Sequence, residues 1–175
     1  MSKNTWLNLA MGAVLALSTA QAHALAISPS SASLVTSGNQ TSTNVINDLI
    51  SSTYGVTELY KSNVGGSDEK SFAGSYDTTF SNSPTDPSDA LIEYVSGPSI
   101  SCPTCYLLVK DGNQSPAWYL FNLGSWNGTE DISMSAFWPN RGAISHVSIW
   151  GASVPAPAAA ALIGLGLIGF AAAGQ

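Results

Sequence analysis

Tyr106-Leu107-Leu108-Val109-Lys110, Trp118-Tyr119-Leu120-Phe121-Asn122-Leu123 and Ile144-Ser145-His146-Val147-Ser148-Ile149-Trp150 are short runs dense in β-branched, leucine and aromatic residues. Turn formers bound them: Gly97-Pro98 before the first, Asp111-Gly112-Asn113 after it, Trp126-Asn127-Gly128 after the second and Pro139 to Gly142 before the third. Ala90 to Val95 and Ile132 to Phe137 read the same way. Short strands recurring at roughly 8 to 12 residues, with turns between, indicate a sandwich or a barrel. The expectation is a mainly β fold, an antiparallel β-sandwich.

Toward the N-terminus the signals continue more weakly. Phe72 to Phe80 reads as a strand interrupted near Gly74, Val56 to Lys61 as another, and Gly65-Gly66-Ser67-Asp68 as a turn. Asn82 to Asp89, with Pro84 and Pro87, reads as a loop. Val45, Ile46, Leu49 and Ile50 fall at helical spacing, which predicts one short helix over Asn44 to Ser52, N-capped by Thr43 or Asn44 and ending before Gly55. Leu25 to Thr43 is rich in Ser and Thr without clear period, and predicts an extended leader with one edge strand.

The two ends have a different composition. Lys3 precedes an uncharged apolar run through Leu17, then Ala22-His23-Ala24, the three-part pattern of a secretory signal helix with its peptidase cut after Ala24, or secondarily after Ala26. At the other end, Val154-Pro155-Ala156-Pro157 precedes an apolar stretch from Ala158 to Ala173 that lacks charge. The prolines set the start of a helix there. Its length would be roughly 24 Å against a hydrocarbon core of about 30 Å, a marginal transmembrane helix suited to a transient anchor. Gly164-Leu165-Gly166-Leu167-Ile168-Gly169 spells a dinucleotide fingerprint, but no strand precedes it and no acidic residue follows it. Three segments result: a signal peptide over 1–24, one extracytoplasmic β-rich domain over 25–153, and a tail over 154–175 with its hydrophobic helix at 158–173.

These end features resemble the PEP-CTERM sorting family of Gram-negative bacteria, which joins an N-terminal signal to a Val-Pro-x-Pro motif and a short apolar helix. Ala156 stands where the family usually has Glu, and no Lys or Arg cluster follows Ala173. Because such a cluster holds a tail in orientation, a permanent membrane tether stays open beside sorting. About 45 residues before the tail, including Val109 to Asn113, Pro116 to Leu123, Trp126 to Thr129 and Ala143 to Gly151, are also similar to the bodies of many such proteins. The resemblance implies export by the general secretory machinery and signal peptidase, a brief stay at the inner membrane, and processing at Val154 to Pro157 by an exosortase-type membrane protease. The product would reside at the cell surface or in the extracellular matrix, associated with exopolysaccharide. No catalytic residues come with it.

Composition and motifs agree with a non-enzymatic domain. All 11 acidic residues lie within 25–153, against Lys61, Lys70, Lys110 and Arg141, so a basic nucleic-acid footprint is lacking and no nucleic-acid partner is expected. Cys102 and Cys105, bound for an oxidising compartment, predict a local disulfide; a redox pair would want a helix after the first Cys, and a strand pattern follows instead. A zinc site could add only His146. That histidine, beside Ser145 and Ser148, is read as a packing residue because no triad partner can be identified. Spacing selects no catalytic pair among Glu58, Glu69, Glu93 and Glu130, and no calcium ladder among Asp68, Glu69 and Asp77 or Asp86 and Asp89. No cofactor or metal is expected. Trp118 and Trp150 are expected to fill the sandwich core, while Trp126 and Trp138, beside turn residues, are expected to reach the surface and face carbohydrate. The rival expectation is a secreted carbohydrate-binding or carbohydrate-active protein with a sorting tail.

Overall fold

A computed structural model describes residues 24–83, 85–139 and 143–152. The expected signal segment before Ala24, the expected sorting tail over 154–175 and the helix expected at 158–173 lie outside the described residues. In chain order the elements are β1 (Leu25–Ile27), β2 (Leu34–Gly38), α1 (Thr43–Tyr54), β3 (Thr57–Asn63), β4 (Tyr76–Ser81), β5 (Asp89–Tyr94), β6 (Cys105–Lys110), β7 (Trp118–Asn122), β8 (Ile132–Met134) and β9 (His146–Gly151).

The strands form a four-stranded sheet in the order β1-β8-β5-β4 and a five-stranded sheet in the order β2-β7-β6-β9-β3. The two sheets face each other across one core. Ile27, Tyr76, Ala90, Ile92, Ile132 and Met134 come from the first, and Leu59, Tyr60, Leu107, Val109, Phe121, Val147 and Ile149 from the second. This is the mainly β, two-sheet arrangement that the strand spacing implies. One pairing departs from the expected antiparallel plan: β1 runs parallel to β8, Leu25 opposite Ile132. The Ser-rich leader thus holds two strands, β1 and β2, each at the edge of a different sheet.

The five-stranded sheet is apolar on its outer face as well. Leu108, Trp118, Leu120 and Trp150 form a second cluster there with Ile46, Ile50 and Val56. Helix α1 carries the chain from β2 at one edge of this sheet to β3 at the other, so it can cover that face while crossing it. Trp118 and Trp150 are therefore buried as expected but lie beneath the helix instead of between the sheets. The helix starts at Ser42, whose carbonyl takes Ile46 N at 3.1 Å without a side-chain cap, one or two residues earlier than the Thr43 or Asn44 expected. It stops at Gly55, which adopts φ 65° and donates its N–H to Ser51 O at 2.9 Å. A left-handed residue here suits glycine because an L side chain at this φ crowds its own backbone carbonyl, even though open space surrounds the position.

Two expected strands are shorter than their sequence runs. Residues 71–75 form turns, and β4 begins only at Tyr76. β8 stops at Met134 because Ala136 and Trp138 adopt positive φ, with Ala136 N bound to Asp89 Oδ1 at 2.9 Å. In β3 a register shift between Glu58 and Tyr60 puts both Leu59 and Tyr60 into the core, the two-against-one count of a bulge. Cys102 and Cys105 form the expected disulfide, Cα to Cα 5.6 Å, at the start of β6.

Tyr76 joins the sheets at one pole. Its buried hydroxyl donates to Gly128 O at 2.7 Å and accepts from Ile100 N at 2.7 Å, tying the loop after β5 to the loop after β7. Removing it orphans two backbone groups, each costing roughly 1–3 kcal/mol when buried. Tyr76→Phe is expected to lower unfolding free energy by about 2–4 kcal/mol in urea titrations with the slope unchanged.

Candidate functional site

A groove of about 420 Å³ runs between α1 and the β2–β7 edge of the outer face. Thr36 and Gly38 lie opposite Leu120 and Trp118 in the β2–β7 register, so these four set one wall and the floor. Leu49, Ile50, Thr53 and Tyr54 of α1 form the other wall, and Tyr54 packs its ring 4.9 Å from Tyr106. Asn39 and Gln40 line the groove from the connection between β2 and α1. That connection is held by Ala117 N to Gly38 O at 2.7 Å and by Ser115 Oγ donating to Asn39 Oδ1 at 2.9 Å.

Trp118 packs flat beneath Gly38. A Cβ on that glycine would sit 2.6 to 2.9 Å from the indole, so the bare backbone is what admits the ring. The indole is 3% exposed, and its Nε1 has no hydrogen-bond partner among the described residues. Leu49 and Val45, one turn apart on α1, remain nearly half exposed. The lining combines an apolar floor with hydroxyls and amides from Thr36, Ser37, Asn39, Gln40 and Thr53, all neutral groups. Such a surface can contact C–H faces and exchange hydrogen bonds with a neutral, hydroxylated ligand.

A second polar group lies on the same sheet face, toward β9 and β3. Lys110 and His146, opposite one another in register, are each 5% exposed. Lys110 Nζ donates to Asp111 O at 2.9 Å, while the Asp111 carboxylate accepts from Asn113 N at 2.7 Å and Ala143 N at 2.9 Å. Burial pulls the Lys110 ammonium below its ordinary range, with Asp111 opposing that shift. Burial, then the charges of Lys61 and Lys110, hold the His146 imidazole down at about 3. It is therefore neutral at physiological pH and a weak base. Its neighbour Ser145 is committed elsewhere, donating both N–H and Oγ to Lys110 O at 2.7 and 2.9 Å.

The sequence-predicted residues fall as follows. Trp126, expected at the surface, is instead 8% exposed in the inter-sheet core, 6.1 Å from Tyr76, with Nε1 donating to Glu130 O at 2.6 Å. The Asn127 carboxamide accepts from Thr129 N and Glu130 N at 2.8 and 2.7 Å, folding the loop back and turning the indole inward. Trp138 is half-buried against Tyr119 and donates Nε1 to Pro116 O at 2.9 Å, outside the groove lining. The structure does not bring the two together. Glu58 binds Lys70 at 3.0 Å, Glu69 approaches Lys61 at 3.5 Å, and Asp89 serves Ala136, so these carboxylates have structural partners. Among the described residues no group of three or more His, Cys, Asp or Glu is placed to hold a metal, and no helix is long and apolar enough to cross a membrane. Ala24 is exposed directly before β1; Ala22 and the tetrad Val154, Pro155, Ala156 and Pro157 lie outside the described residues.

The groove residues were not singled out by motif. One signal was present: Val45, Ile46, Leu49 and Ile50 make the apolar stripe of α1 wider than the sheet buries, leaving Val45 and Leu49 exposed, with Leu49 in the groove lining. Comparison with models of known protein families, with curated proteins and with solved structures gave no match.

His146 makes the fold sensitive to acid. Its folded-state pKa lies below the unfolded value near 6.5, so the unfolded chain binds the extra proton between the two. The contribution is complete above about pH 6.5 and is lost as pH falls toward 3. Between pH 7 and 5, above the main carboxylate range, this group alone is expected to remove on the order of 2 kcal/mol. His146→Phe should flatten the dependence of the urea midpoint on pH in that interval; an unchanged slope would show that another group titrates.

Proposed function

We propose that this chain is an exported, non-enzymatic surface or extracellular-matrix protein whose β domain holds exopolysaccharide in the groove beneath α1. Residues 1–24 act as a signal peptide for the general secretory machinery, and 158–173 form the hydrophobic helix that keeps the chain at the inner membrane. An exosortase-type protease then processes the tetrad Val154 to Pro157, releasing the domain of 25–153 to the cell surface or matrix. The sorting half rests on the sequence of the two ends.

The binding half is carried by one observation, the composition of the groove. Sugar rings present apolar C–H faces edged by hydroxyls, and the groove pairs the accessible apolar surface of Leu49 and half-buried Tyr54 with neutral Thr, Ser, Asn and Gln. Its volume of about 420 Å³ falls in the range of small-ligand sites, about 300–1,000 Å³. Among the described residues its lining holds no carboxylate, histidine or lysine, which favours holding a glycan over cleaving one.

Thr53 is exposed on the helix wall, so Thr53→Trp can fill the groove without disturbing the core. The variant is expected to lose at least about tenfold in affinity for the producer's polysaccharide, the scale of about 1.4 kcal/mol, while its urea midpoint stays put. Equal retention in affinity electrophoresis would refute the groove as the site. For sorting, intact mass and cell fractionation are expected to show a form lacking both 1–24 and the tail, outside the cell, only in a host that has its exosortase. An unprocessed tail in the inner membrane of both strains would overturn it.

A further inference from the structure

A chain with a membrane-inserting segment at each end is least strained when both exits lie on one side of its domain. β1 pairs parallel to β8, so Leu25 begins level with Ile132, and its N–H binds Asp131 O at 2.7 Å. In the other sheet β9 ends at Gly151, opposite Cys105 at the start of β6 and Thr57 at the start of β3. These two points share a pole. There the end of β5, the start of β6, the end of β7 and the start of β8 are drawn together by the Tyr76 hydroxyl and by Leu123 N binding Cys105 O at 2.9 Å.

The exit at Gly151 is fastened. A Cβ there would meet Cys102 Sγ at 2.7 Å and Cys102 Cβ at 2.8 Å, so the disulfide loop packs on bare backbone between two neighbouring strands. The fold therefore holds the chain as far as Gly151. From Gly151 to Ala158 the chain can extend at most roughly 25 Å, and from Leu25 back to Leu17 at most roughly 28 Å. The groove end lined by Asn39 and Gln40, and Asp86 between β4 and β5, lie one strand length away, roughly 20 Å further. The same pole presents Val95, 61% exposed and the most exposed large hydrophobic among the described residues. Its turn is held by Val95 N to Ser75 O at 2.9 Å and Tyr94 Oη to Gly97 O at 2.5 Å.

We infer that the pole carrying Leu25, Val95, Gly151 and Ser125, the last exposed in the loop between β7 and β8, is a membrane-facing surface. While the chain is anchored it lies against the lipid headgroups with Val95 at its tip, and the Asn39–Gln40 end of the groove points away from the bilayer. The domain can then engage its ligand before release. This rests on the sorting reading above.

The test is photo-crosslinking of the full precursor in its native host, with a benzophenone amino acid placed singly at Val95, Ser125, Gln40 or Asp86, all exposed positions. Lipid adducts from Val95 and Ser125 at least an order of magnitude above those from Gln40 and Asp86 are expected in the membrane fraction. Equal yields from all four, or adducts to protein alone from Val95 and Ser125, would overturn the orientation while leaving the anchor standing. A precursor recovered wholly outside the membrane fraction would bring down the anchor, and the orientation with it. The urea midpoint of each substituted protein guards against a misfolded probe.

Discussion

Strand β6 is buried on both of its faces, and the rest of the molecule is arranged around that constraint. Leu107 and Val109 point to the facing sheet, while Leu108 and Lys110 point outward and are buried too. A strand of this kind needs a layer on each side, since an apolar face left in water forfeits roughly 25 cal/mol for every Å² not buried. The four-stranded sheet supplies one layer. A single twelve-residue helix supplies the other, and it is too narrow to cover five strands.

The incomplete cover produces both polar features of the outer face. On the β2–β7 side the helix stands off from the sheet, and the gap is the groove, floored by Trp118 because Gly38 has no side chain to occupy the ring's place. On the β9–β3 side Lys110 and His146 are buried close together, and burial with the charges of Lys61 and Lys110 keeps the imidazole neutral. A charged histidine between two ammonium groups out of water would be costly, and shedding its proton is the lower-energy solution. The acid sensitivity follows from the fold and need not reflect a function of the histidine.

Strand positions in the second half were legible because those strands are half or fully buried, and burial writes itself into the sequence as Leu, Val, Ile and aromatic runs between turns. β1 and β2 were hard to read for the opposite reason. They are short edge strands whose side chains are mostly Ser, Thr and Gly or exposed, and their backbone pairing leaves no apolar period. Trp126 was misplaced because a tryptophan beside Asn-Gly resembles a turn residue. Only the Asn127 carboxamide, by curling the loop, shows that the ring turns inward.

From the amino-acid order alone came the β class, the short helix with its glycine stop, the local disulfide and the apolar composition of the two ends. Each is a local matter of propensity, spacing or hydropathy. Tertiary structure alone decided that α1 lies outside the sheets, that Trp118 sits under it, and that residues 36–40, 49–54 and 118–120 meet around one groove. The first two lie close in sequence but 118–120 comes about 64 residues after them, and what joins them is the need to bury a second face of one sheet, which no local pattern records.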